Sequence, residues 1–234
     1  MKRILAIILV LVTVLSFAAC GGKSSLKGKY IDQIAGLYSF DFKKDGSLQR
    51  IYKDSDPLIM DSWNLKNGIF SYRRGGGLFS SKETYDAVFE GDTLVLKSTQ
   101  DGSIEYKLVP ESEYSVDNLE MYVEIDGKKD VITAIKDTYD ENELTFKNKY
   151  QDKDVVIVSK IESIGGEVYH DGRHMKSQMY LEGSYFVQTD GYELTLNDCK
   201  EGDLVKVKGN IHDCFVNVNI YQTTRHQVEL EVLK

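Results

Sequence analysis

One kind of turn keeps returning along this chain, and it limits the fold more than any other feature. Asp45–Gly46, Asn67–Gly68, Asp101–Gly102 and Asp126–Gly127 each close a short run of alternating apolar and polar residues. Asn-Gly and Asp-Gly pairs hold both central residues of a tight turn at positive φ, the geometry that matches the twist of paired strands. Leu37–Phe42, Ser62–Leu65, Ile69–Tyr72, Thr84–Phe89, Thr93–Lys97 and Ile104–Val109 carry the two-residue alternation of half-buried strands. Short strands separated by such turns predict an antiparallel meander closing toward a barrel over residues 27–110. The 15 tyrosines and only two prolines, Pro57 and Pro110, also point to β-structure rather than disorder.

The N-terminus reads as an export signal. Lys2 and Arg3 precede an uncharged run from Ile4 to Phe17, and Ala18–Ala19 then lead into Cys20. That order of charge, apolar stretch and small residues is a signal peptide's. The apolar run falls short of the roughly 20 residues a spanning helix needs. Leu15–Ser16–Phe17–Ala18–Ala19–Cys20 resembles the bacterial lipobox. The resemblance implies cleavage after residue 19, acylation of Cys20, and an anchor on the outer face of the cell membrane, as in Gram-positive surface lipoproteins. Residues 20–26, with Gly21–Gly22–Lys23–Ser24–Ser25, read as a flexible tether. The lipid bilayer is therefore one expected partner, held through the acyl chains on Cys20.

Residues 111–129 read as a linker followed by a connecting strand, Leu119 to Ile125, which ends at Asp126–Gly127. Asp130 is then placed to cap a helix. Val131, Ile135, Tyr139, Asn142, Phe146 and Tyr150 recur every three or four residues, and the spacing predicts one amphipathic helix of about five turns. A β-branched stretch, Val155–Ile164, runs into Gly165–Gly166. Further strands are expected at Gln178–Leu181, Ser184–Gln188, Val216–Tyr221 and Val228–Leu233. Leu196–Gly209 contains a Lys-Glu-Gly-Asp turn feeding alternating valine and lysine.

Two resemblances follow from these segments. The order GKY, YSFDFKKDGS, W, NGIF, GDTLVLK, YKLV is similar to that of small lipocalin-like domains of Gram-positive lipoproteins. It implies a small barrel-like sheet without naming a ligand. Trp63, Phe70, Tyr72 and Phe79 would either line a pocket in that sheet or fill its interior. FKNKYQDKDVVIVSKIESIGG followed by LNDCKEGDLVKVKGNI resembles the OB-fold domains grouped as tRNA-anticodon-domain-like in exported bacterial proteins. It implies a five-stranded barrel over residues 130–234, with closure of the barrel resting on Gly165–Gly166.

An OB barrel binds through its second and third strands and two loops. The sequence places those loops at about residues 167–177 and 210–215. They hold His170, Asp171, His174, His212, Asp213 and Cys214, side chains that either converge on an ion or serve as ordinary loop residues. Tyr169, Tyr180, Tyr185 and Phe186 are available as stacking platforms for single-stranded nucleic acid or as packing. Residues 115–234 carry 14 Lys and Arg against 23 Asp and Glu. That excess of negative charge disfavours nucleic acid. Cys199 and Cys214 fall at opposite ends of one expected strand, too far apart for a disulfide.

No Gly-x-Ser-x-Gly, no complete Gly-x-x-x-x-Gly-Lys-Ser/Thr phosphate-binding loop and no His-Glu-x-x-His sequence occurs. The expectation is a non-enzymatic surface lipoprotein, mainly β, that binds a small ligand, a wall component or a protein, with no cofactor implied. The alternative is an OB-domain binder of oligosaccharide or single-stranded nucleic acid.

Overall fold

The computed structural model describes residues 26–234 except 54, 61, 75–80, 171–173, 191–198, 224, 226 and 234; the side chains of 166–170, 174–177 and 190 also fall outside the description. Cys20 and residues 1–19 lie outside the described residues. The chain divides into two compact units, one running to Gln33 and resuming over Leu37–Tyr114, the other formed by Ile34–Gly36 with Ser115–Lys234.

The first unit is a single antiparallel sheet of nine strands: β1 (Gly28–Asp32), β2 (Tyr38–Phe42), β3 (Leu48–Tyr52), β4 (Leu58–Met60), β5 (Ser62–Lys66), β6 (Ile69–Arg74), β7 (Ser81–Glu90), β8 (Thr93–Ser98) and β9 (Ile104–Pro110). The order β4-β3-β2-β1-β9-β8-β7-β6-β5 makes a near-closed barrel. Its two edges are β4 and β5, which follow one another in the chain. Turn chemistry fixes the registers. Asn67 and Gly68 take φ of 53° and 73°, joining β5 to β6 so that Leu65 faces Phe70 and Trp63 faces Tyr72. At the β2–β3 turn, Asp45 Oδ1 accepts from the backbone N–H of Ser47 at 2.9 Å and from its hydroxyl at 2.7 Å. Asp101 and Ser103 repeat that arrangement between β8 and β9.

Alternation then sends Phe40, Phe42, Leu48, Met60, Trp63, Leu65, Phe70, Leu94, Leu96 and Leu108 inward, where all are buried. Trp63 and Phe70 pack on Phe42 at centroid distances of 4.9 and 6.1 Å. Each fully buried side chain of this kind contributes about 1.5–3 kcal/mol of transfer free energy. Of the four aromatics picked from the sequence, Trp63, Phe70 and Tyr72 belong to this packed interior, and Phe79 lies outside the described residues.

In the second unit a 3₁₀ turn, Val116–Asn118, leads to β10 (Tyr122–Ile125) and β11 (Lys128–Val131), joined at Asp126 and Gly127 with φ of 52° and 74°. Two short helices follow, α1 (Ala134–Glu141) and α2 (Glu143–Lys149). The single five-turn helix expected from the apolar spacing is therefore not formed. Its first residues pair as β11 because the Asp-Gly turn commits Lys128–Val131 to a hairpin with β10. Its centre breaks at Asn142, which is extended (φ −161°, ψ 104°) and accepts the N–H of Thr145 on its side chain at 3.0 Å. An asparagine offers the backbone this alternative to a continuing helix. Ile135, Phe146 and Tyr150 are still buried, and Tyr139 packs edge-on to Phe146.

The remaining strands are β12 (Asp154–His170), β13 (His174–Leu181), β14 (Tyr185–Asp190), β15 (Leu204–Cys214), β16 (Val218–Tyr221) and β17 (Glu229–Leu233). β12 pairs with both β13 and β15, so β12-β13-β14-β16-β15 closes on itself as a five-stranded barrel. β14 and β16 run parallel; the other barrel pairs are antiparallel. β10 and β11 extend the sheet past β12, and β17 extends it past β15. The long first strand serves two neighbours by bending, with register shifts between Ile161 and Ser163 and between Gly165 and Val168. Gly209 lies so close to the Ile220 side chain that a Cβ there would collide with it. Cys199 and Cys214 are not joined in a disulfide.

Candidate functional site

Alternation along the barrel strands sorts the second unit's side chains into two sets. Met179 and Leu181 of β13, Tyr185, Val187 and Thr189 of β14, and Val218 and Ile220 of β16 point inward and are buried. Their neighbours face outward in two rows. Register aligns Tyr180 with Phe186 and Phe186 with Asn219; it also aligns Gln178 with Gln188 and Gln188 with Tyr221. The rings form a continuous strip. Tyr180 and Phe186 lie 5.0 Å apart between centroids, Phe186 and Tyr221 6.0 Å, and Tyr221 and His212 5.3 Å. Tyr180, Phe186 and Tyr221 are half-buried and His212 is exposed, so ring surface remains open to solvent.

The electrostatics around the strip are mild. Burial raises the Tyr221 hydroxyl's pKa, with smaller contributions from Asp213 and Tyr180, so it stays a neutral donor and acceptor. Asp213 accepts a short bond from Asn219 Nδ2, which orients the amide. Gln178 and Gln188 each bring an acceptor and two donors to the same face. Stacking surface flanked by amides and a hydroxyl, with the Asp213 carboxylate at one border, suits a ligand with apolar faces and polar edges.

The residues singled out from the sequence fare unevenly. His212 and Asp213 sit side by side on β15, 3.8 Å between Nε2 and Oδ2, with His212 exposed and Asp213 half-buried. His170 and His174 are directly opposed across the β12–β13 hairpin. Their side chains, and all of Asp171, lie outside the described residues. The two loops expected here are mostly strand, because pairing across the hairpins satisfies the backbone of 167–170, 174–177 and 210–214. Among the described residues no group of three or more His, Cys, Asp and Glu is placed to hold a metal. Of the four proposed stacking aromatics, Tyr180 and Phe186 are on the strip. Tyr185 is in the core, its hydroxyl donating to the Ile132 carbonyl at 2.6 Å, and the Tyr169 side chain lies outside the description. Tyr221 was missed, although its alternation with Val218 and Ile220 carries the signal.

Comparison of the chain with protein-family models, with curated proteins and with solved structures finds no match. The site must therefore be interpreted from its own chemistry. Two barrel-like sheets are an architecture consistent with a non-catalytic binding protein in general.

Proposed function

We propose that this chain is an exported lipoprotein, anchored through acylated Cys20 on the outer face of the cell membrane, that binds without catalysis. In this reading the first unit is lipocalin-like. The second is an OB-type barrel that lays an uncharged oligosaccharide, such as a wall glycan, across Tyr180, Phe186 and Tyr221. The observation that carries the reading is the aromatic strip with its amide border. A sugar ring offers C–H faces to stack on aromatics and hydroxyl edges to pair with Gln178, Gln188 and Asn219.

The order in which the five strands close, with the third and fifth parallel, supports the OB assignment; Tyr180 and Phe186 then lie on the second and third strands, where such barrels bind, and Tyr221 joins them from the fifth. The same strip could stack bases, but single-strand binders pair aromatics with a basic groove. Here Asp213 borders the rings, within a half-chain rich in carboxylates.

Titrating the mature protein with neutral glycans and with short oligonucleotides separates the two ligands. Glycan binding that is unchanged between about 50 mM and about 200 mM salt supports the reading. Oligonucleotide binding that falls steeply over that range, as phosphate contacts require, with no glycan binding, overturns it.

A further inference from the structure

The first barrel carries a polar cluster that its packing does not require. Arg50 follows Leu48 on the inner face of β3, and Glu83 precedes Tyr85 on the inner face of β7. Charged side chains at inward positions are costly unless paired. Arg50 is paired sparingly. One nitrogen, Nη1, donates to the Tyr72 hydroxyl at 2.6 Å and reaches Glu83 Oε2 at 3.4 Å, while the guanidinium rests 5.6 Å from the centroids of both the Tyr38 and Tyr72 rings. Glu83 Oε2 also accepts a short bond from Tyr72 and one of 2.8 Å from Tyr85.

Much hydrogen-bonding capacity is left over. Among the described residues, Arg50 Nε and Nη2, Glu83 Oε1 and the hydroxyls of Tyr38 and Tyr106 have no hydrogen-bond partner. Trp63 stands opposite Tyr72 in register, and its buried indole N–H is also without a partner among the described residues. A buried donor left unpaired costs about 1–3 kcal/mol, which an acceptor brought by a ligand would recover. The cluster reaches solvent, with the Arg50 side chain 17% and the Glu83 side chain 34% exposed.

We propose that this end of the first barrel is a binding site for an uncharged sugar residue, one that carries hydroxyl and carbonyl groups. Charge decides the class. An anion drawn to Arg50 meets the Glu83 carboxylate, and a cation drawn to Glu83 meets the guanidinium. A neutral ring with several hydroxyls can accept from Arg50 and Trp63, donate to Glu83 Oε1 and pair with the Tyr106 hydroxyl, with its C–H face against Tyr38. The tyrosines remain neutral partners: burial pushes Tyr106 up to about 12 and raises Tyr72 and Tyr85 as well. The site is independent of the strip on the second barrel, since no residue is shared.

Trp63 is the chain's only tryptophan, so its emission reports on this site alone. The full mature chain is titrated with N-acetylglucosamine and its disaccharide, with glucose and maltose, and with the charged comparators glucuronate and glucosamine. The expected result is a saturable change with a neutral sugar, weakened about tenfold or more by Glu83→Gln and by Tyr106→Phe and unaffected by Phe186→Ala, a tenfold loss being about 1.4 kcal/mol. Tyr106→Phe removes one hydroxyl and keeps the ring, which guards against reading a folding defect as lost binding. No saturable change up to about 10 mM sugar, stronger binding of a charged comparator, or binding that survives both substitutions overturns the proposal. Loss of the glycan titration in Phe186→Ala with the Trp63 response intact separates this site from the one on the second barrel.

Discussion

Replacing Tyr185 with phenylalanine tests how the second barrel is held in register. The Tyr185 side chain is fully buried, and its hydroxyl donates to the Ile132 carbonyl at 2.6 Å. Ile132 is itself fully buried, and that carbonyl has no other partner among the described residues. The bond pins the first residue of β14 to the segment entering α1, and so sets the position of Phe186, the next residue, on the outer face. Tyr185→Phe keeps the ring and removes only the donor. The unpaired carbonyl then costs about 1–3 kcal/mol. For a unit of this size each kcal/mol moves the thermal midpoint by about 4 °C, so calorimetry on the full chain should show a transition lowered by about 4–12 °C. Tyr38→Phe is the control; that hydroxyl has no partner among the described residues, and its loss should change stability by under about 0.5 kcal/mol. A Tyr185→Phe change as small as the control's would refute the reasoning.

Other expectations concern the backbone, the thiols and the anchor. A Cβ at Gly183, where φ is +87°, would sit 2.6 Å from Ile132 Cγ1 and 3.0 Å from the Ile132 carbonyl oxygen. Gly183→Ala should therefore destabilise by several kcal/mol, whereas Gly46→Ala, at φ +86° with open space around it, should cost only about 1–2 kcal/mol; urea titrations compare them. Burial pushes the Cys214 thiol from 9.0 up to about 12. Below pH 9 the thiol is neutral whether folded or unfolded. Above it only the unfolded thiol ionises, so the unfolded state binds fewer protons and stability falls as pH rises toward 12. Cys214 should accordingly resist alkylation at pH 8 until urea is added, as peptide mass mapping would show. Cys20→Ser should release the protein from the membrane fraction and abolish labelling by radioactive fatty acid; unchanged membrane association would remove the anchor from the account.

Much of the fold was legible because local chemistry agrees with tertiary packing. Asn67–Gly68 and Asp126–Gly127 form the turns their residue types demand, and Gly165 stands at one of the two bends that let β12 serve two neighbours. Periodicity failed where two signals competed. The three- and four-residue spacing from Val131 to Tyr150 is real, since Ile135, Phe146 and Tyr150 are buried. It cannot show that the Asp-Gly hairpin captures Lys128–Val131 or that Asn142 caps a second helix. β1, β4 and β11 are three to five residues long, too short for alternation to identify alone.

The candidate site was half legible. Tyr180 and Phe186 were recognised as aromatics on the right strands, but the alternation phase that separates them from buried Tyr185 depends on pairing. Tyr221 joins them only because β16 lies parallel to β14, a contact between segments more than thirty residues apart. The inner pairing of Arg50 with Glu83 depends likewise on which strands meet across the first barrel.

The most direct test of the binding account is nuclear magnetic resonance on the chain from residue 20 onward during titration with a neutral oligosaccharide. The account predicts that the ring signals of Tyr180, Phe186, Tyr221 and His212 shift together and saturate together, and that Phe186→Ala abolishes the shifts while the fold persists. Saturating shifts elsewhere on the second unit, with those four rings unmoved, would contradict it.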